Sequence, residues 1–156
     1  MKSNQTIPLL ALLLLTGALA ASTPAAGAAT QALVIHHQLR GCHAWSLNEG
    51  PNRVNQTVSI RSGDSITVTN DDLMPHKLIE TSGRTVVYTR ITMGAPMGAK
   101  KAFPPAMLAR IGATSKITFT KVGVYRFTTK AGDDFMSPVA TVGPDNVLRL
   151  TVRVRA

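Results

Sequence analysis

Side chains able to hold a soft metal ion are few in this chain and unevenly placed. The only cysteine, Cys42, stands directly before a histidine in Gly41-Cys42-His43-Ala44-Trp45, and His76 follows Pro75 at the end of Asn70-Asp71-Asp72-Leu73-Met74-Pro75. Thiolate, imidazole and thioether donors suit copper, and Cys with His also suits tetrahedral zinc. Each residue has an ordinary use as well. Cys42 can serve as a small buried hydrophobe, His43 as an imidazole bonded to backbone, His76 as a histidine satisfied by its Asn-Asp turn, and Met136 as core. His36 and His37 are adjacent, so a strand sends them to opposite faces, one toward the core and one outward. Met74, Met93, Met97 and Met107 read as gap fillers before they read as Cu(I) donors. Enzyme chemistry finds little here: no Ser/His/Asp set, no paired carboxylates with a nucleophile and no phosphate-cradling glycine loop, while Asp133 and Asp134 read as solvated turn residues. The chain is therefore expected not to be an enzyme.

The elements that must position these residues are strands. Branched and aromatic residues alternate with polar ones in Val58-Ser59-Ile60, Ile66-Thr67-Val68 and the run from Leu148 to Val154, a period of two. On this pattern about eight strands are expected, over residues 32–39, 55–61, 65–70, 76–80, 84–90, 115–120, 123–128 and 146–154. Turn residues punctuate them, as in Ser62-Gly63-Asp64 and Gly143-Pro144-Asp145-Asn146. Such a series predicts an all-β, two-sheet Greek-key sandwich. Two long connections, residues 91–113 and 130–145, are where a site or a lid is expected. A short helix is expected over residues 105–111, with proline in its first turn.

Lys2 and the apolar run from Ile7 to Ala20 read as a secretory signal peptide. Two small-x-small sites compete for its removal, Ala18-Leu19-Ala20 and Ala26-Gly27-Ala28; an uncleaved anchor is disfavoured by the short run and by Pro8. Residues 1–28 are assigned to signal and processing, and residues 29–156 to one domain in the periplasm or outside the cell, since about 125 residues build one core. The chain carries 17 Lys and Arg against 8 Asp and Glu, a formal charge of +9. That surface favours an acidic protein partner through steering. Nucleic acid is not expected, because the basic residues are scattered and aromatics are few. The exported domain is expected to be monomeric and at most peripheral to a membrane. A single cysteine makes no internal disulfide, so Cys42 is a buried thiol, an intermolecular link or a ligand.

Two stretches carry a family resemblance. Gly63 to Leu78, a strand running through an Asn-Asp turn into Pro75-His76, resembles the segment that holds the first copper-binding histidine in cupredoxins of the plastocyanin and azurin type. Gly123-Val124-Tyr125-Arg126-Phe127 resembles the Gly-x-Tyr-x-Phe strand leading into their ligand loop. The matches span about two thirds of the domain. The resemblance implies a cupredoxin-like sandwich and a copper ligand at His76. The family's ligand loop is not intact, however: Thr129 stands where its Cys would, Gly132 where its His would, and Met136 remains near the Met position. Thr cannot supply the ionised sulfur of a blue-copper bond. The resemblance also brings the connection after the first strand near the metal end, so Cys42 and His43 are expected to complete a site with His76 and Met136. The function expected is electron transfer or copper handling, with an acidic redox or copper-exchange protein as partner. The alternative is a metal-free sandwich acting as an interaction or structural module.

Overall fold

The computed structural model describes residues 27–37, 43–94, 103–131 and 147–156. Among them, ten strands form two five-stranded sheets. One sheet has the order β2 (His43–Leu47), β1 (Thr30–His37), β4 (Ser65–Asp71), β8 (Ala113–Thr118), β6 (Val87–Met93). The other has the order β3 (Asn55–Arg61), β10 (Arg149–Arg155), β9 (Gly123–Ala131), β5 (His76–Glu80), β7 (Met107–Leu108). Every connection except β1 to β2 and β9 to β10 passes from one sheet to the other, so the strands interleave as a Greek-key sandwich requires. Two pairings are parallel, β1 with β4 and β3 with β10, and the rest are antiparallel.

The alternation read from the sequence is what fills the space between the sheets. Leu33 and Ile35 of β1, Val58 and Ile60 of β3, Ile66 and Val68 of β4, and Leu150, Val152 and Val154 of β10 all point inward and are buried. Trp45, the only tryptophan, is fully buried with them. Phe119 stands edge-on to Tyr125 (5.1 Å between centroids, 77°) and to Phe127 (6.0 Å, 89°), the geometry that ring quadrupoles favour. The glycine of the Gly-x-Tyr-x-Phe stretch has a specific task. Gly123 has φ of 147°, and a methyl there would come within 2.5 Å of the Arg84 guanidinium, which lies 5.2 Å from the centre of the Tyr125 ring. The Tyr125 hydroxyl donates to the Lys121 carbonyl four residues upstream at 2.8 Å.

Three expectations need correction. β2 and β7 were not anticipated, and β6 begins at Val87 instead of Arg84. Arg84 is committed elsewhere: its backbone N–H donates to Glu80 and its guanidinium to the Val122 carbonyl. No helix forms over residues 105–111. Met107 and Leu108 pair instead with Lys77 and His76, Leu108 is fully buried, and the Arg90 guanidinium ties down the carbonyls of Pro104 and Met107. The free edge of β5 thus gains a partner that a helix could not supply. β6, at the edge of its sheet, shifts register against β8 between Arg90 and Thr92.

The turn from β3 to β4 is closed by Asp64, whose carboxylate accepts the Arg61 N–H and the Ala29 N–H, each at 2.8 Å. Those two donors, Arg61 first, hold its carboxyl below the usual carboxylate range. A lowered folded value means that this contribution to stability is present above the ordinary value of 3.8 and is lost as pH falls through the lower folded value. Asp64→Asn is therefore expected to lower the melting temperature at pH 7 and to flatten the loss of stability below about pH 4, as thermal melts across pH will show.

Candidate metal centre

The end of β4 builds a rigid turn. Asn70 is fully buried; its Nδ2 donates to the Met74 carbonyl at 2.8 Å and the Leu108 carbonyl at 3.2 Å, and its Oδ1 accepts the Asp72 N–H at 3.1 Å. The Gly112 N–H donates to the Asn70 carbonyl at 2.6 Å. One amide side chain thus closes the turn and fastens it to the segment that forms β7. Asp72 is the next fixed point. Its Oδ1 accepts the Met74 N–H at 3.2 Å, and its Oδ2 lies 3.1 Å from Nε2 of His76.

His76 opens β5 with a side chain that is 0% exposed, and Asp72 is 1% exposed. An ionised carboxylate only accepts, so with Asp72 ionised and the imidazole neutral, Nε2 of His76 carries the proton and the buried Nδ1 carries the lone pair. Register sets His76 opposite Leu108 on one side and Ala131 on the other. The same inner face of β5 and β9 carries Leu78 opposite Thr129.

Asp72 also faces β1. His37 Nδ1 is 3.5 Å from Asp72 Oδ1, with the His37 side chain 56% exposed. One buried carboxylate therefore lies between an outer and an inner imidazole. His36 points the other way, with Nε2 3.0 Å from the Ser46 hydroxyl and Nδ1 3.5 Å from Asp71. The expectation of one core-facing and one outward histidine is corrected in this respect: His37 is in phase with Leu33 and Ile35, yet at the strand end it stays open to solvent, and His36 is half-buried.

Of the four residues expected to form a site, His76 lies at the inner end of this network. His43 opens β2 as the register partner of His37, so its backbone stands at the same end of the sandwich. Cys42 and Met136 lie outside the described residues, as do Gly132, Asp133, Asp134 and Met97. Among the described residues no group of three or more His, Cys, Asp or Glu side chains is placed to hold a metal. Thr129 is buried and structural: its hydroxyl accepts the Leu148 N–H at 3.2 Å and its own N–H donates to the Leu148 carbonyl at 3.1 Å. Sequence reasoning passed over Asp72 and Asn70 as turn formers. The signal available was a carboxylate four residues before the histidine, with a rigid proline between them.

No protein-family model matches the chain, and no curated protein does. Solved structures similar to it include a cysteine protease inhibitor from Entamoeba histolytica, 14% identical over 84% of this chain and 100% of that one, with a TM-score of 0.46. Amicyanin from Paracoccus versutus is 17% identical over 86% and 87%, with a TM-score of 0.38. A purple cupredoxin from Nitrosopumilus maritimus is 19% identical over 78% and 97%, with a TM-score of 0.36. Likenesses of this degree assign neither a family nor a ligand. The molecule itself is an all-β two-sheet sandwich.

Proposed function

We propose that this chain is an exported, non-catalytic copper protein that carries single electrons or hands copper to an acidic partner, with Cys42, His43, His76 and Met136 as the ligands. The observation that carries the reading is the pair Asp72 and His76. A buried imidazole whose second nitrogen is held by a buried carboxylate is how metal-binding histidines are fixed in tautomer and direction, and this pair sits within the very turn whose sequence resembles the cupredoxin ligand turn. His76 thus fits an imidazole ligand, with Nδ1 as the donor atom. Support for Cys42 and His43 comes from register, since the connection holding Cys42 joins His37 to His43 and His37 reaches Asp72. Support for Met136 is that β9 runs past His76 at Ala131, five residues before it. Copper bound there would supply a one-electron Cu(I)/Cu(II) couple. The chain's own part is to hold the donors still between the two states.

The test is absorption of the mature domain with one equivalent of Cu(II). An intense thiolate-to-copper band supports the reading, and no binding sinks it. The second outcome would favour the metal-free interaction module, which has its own support: Asp72, hydrogen-bonded to His76 of one sheet and 3.5 Å from His37 of the other, links the two sheets without any metal. Asp72→Asn is expected to lower copper affinity about 10- to 100-fold while preserving the turn, the usual cost of losing such a holding residue; competitive chelator titration reads it.

An acidic partner has a matching face. β3, β9 and β10 contain no Asp or Glu, and Arg61, Arg126, Arg149, Arg153 and Arg155 are exposed on them. Arg155 stands directly opposite Arg61, a like-charge pairing that costs stability in the isolated sheet. Association with an acidic partner is expected to slow steeply as salt is added.

A further inference from the structure

Ala29 is the last residue before β1, and both of its backbone polar groups are fastened into the sandwich. Its N–H donates to Asp64 Oδ1 at 2.8 Å, and its carbonyl accepts the Ser65 N–H at 3.0 Å. Asp64 has little exposure and makes no ion pair among the described residues, although Arg61 and Arg155 line the same recess. The two amide donors are its direct partners, with the charge of Arg61 a lesser influence from farther off, so a cation in direct contact would strengthen the hold on it. Gly27 and Ala28, just before it, are exposed, and the space where a Gly27 Cβ would sit is open. In the sequence, the second of the two small-x-small sites, Ala26-Gly27-Ala28, ends at the bond to Ala29.

We propose that the leader is removed at the Ala28–Ala29 bond, and that the new ammonium of Ala29 forms an ion pair with the Asp64 carboxylate. The step is a peptide hydrolysis. Water gives its hydroxyl to the Ala28 carbonyl carbon, the bond from that carbon to the Ala29 nitrogen breaks, and the nitrogen is protonated to an ammonium at neutral pH. The atom that now donates one hydrogen to Asp64 then carries a positive charge in direct contact with it. Removal after Ala20 would leave the Ala29 nitrogen an ordinary amide. Hydrolysis must precede folding, because Ala29 is hydrogen-bonded on both sides once β1 is in place.

This inference rests on the export reading and selects its site. Intact-mass measurement of the protein recovered from the periplasm or medium of an expressing cell is expected to give a chain beginning at Ala29. A chain still beginning at Met1 overturns the export reading itself, whereas one beginning at Ala21 overturns only the site. A second measurement is independent of export. Chains freed from a cleavable fusion to begin at Ala29 or at Ala28 are melted in parallel, each with and without Asp64→Asn. The Ala29 start is expected to melt about 3 °C or more above the Ala28 start, and that gap is expected to close in the Asp64→Asn background. Equal melting of the two starts with Asp64 intact overturns the ion pair.

Discussion

Replacing His76 with alanine is expected to lower copper affinity at least 100-fold and to destabilise the sandwich at the same time. The two losses have different origins. Copper would lose the proposed donor that Asp72 holds, whereas the fold loses the imidazole N–H that satisfies the Asp72 carboxylate away from water; leaving such a buried group short of a hydrogen bond costs about 1–3 kcal/mol. Cys42→Ser separates them, because it removes the proposed thiolate without touching Asp72. It should abolish the charge-transfer band and leave the melt nearly unchanged, while Met136→Leu should shift spectrum and potential and retain binding. Binding should also weaken toward acid, since thiol and imidazoles must be deprotonated to ligate. The measurements are isothermal titration against a competing chelator and a thermal melt on each variant. If His76→Ala binds copper as tightly as the parent, the ligand assignment fails.

Phe119→Ala is expected to cost about 3–5 kcal/mol, read as a drop in the urea midpoint at unchanged slope. Phe119 is fully buried and makes both edge-on contacts, to Tyr125 and Phe127. Truncation leaves a cavity between the sheets where rigid strands cannot close in, and it removes two aromatic pairs of about 0.5–1.5 kcal/mol each. A domain of this size is stable by only about 5–15 kcal/mol, so this one side chain decides a large share of it. Phe119→Leu, which refills much of the volume, should cost less than half as much.

β3, β4 and β5 were legible, with nearly the observed bounds, because each follows a period of two and ends at turn residues. β2 was not, for a physical reason: Ala44, Trp45 and Ser46 are buried in succession, so no alternation marks it. The segment around Met107 misled because its residues favour a helix, while β5 needed a neighbour for its open edge; tertiary demand overrode local propensity. His76 could be singled out by the proline and turn before it. The carboxylate that holds it could not, since Asp72 resembles any turn aspartate and its other partner, His37, is brought near only by the parallel pairing of β1 with β4. Likewise Thr129 could be read only as a missing ligand, not as the residue that anchors Leu148.

β10 follows the other described strands in the sequence, and it occupies an inner place in its sheet, between β3 and β9. Without it, β3 has no neighbour in that sheet, and the inward Leu150, Val152 and Val154 are missing from the core. The register that joins Asn55 to Arg149 spans most of the domain, and contacts so distant in sequence are slow to form. Loss of Arg149–Arg155, a single strand, would leave an exposed gap in the sheet and not a shorter version of the same protein.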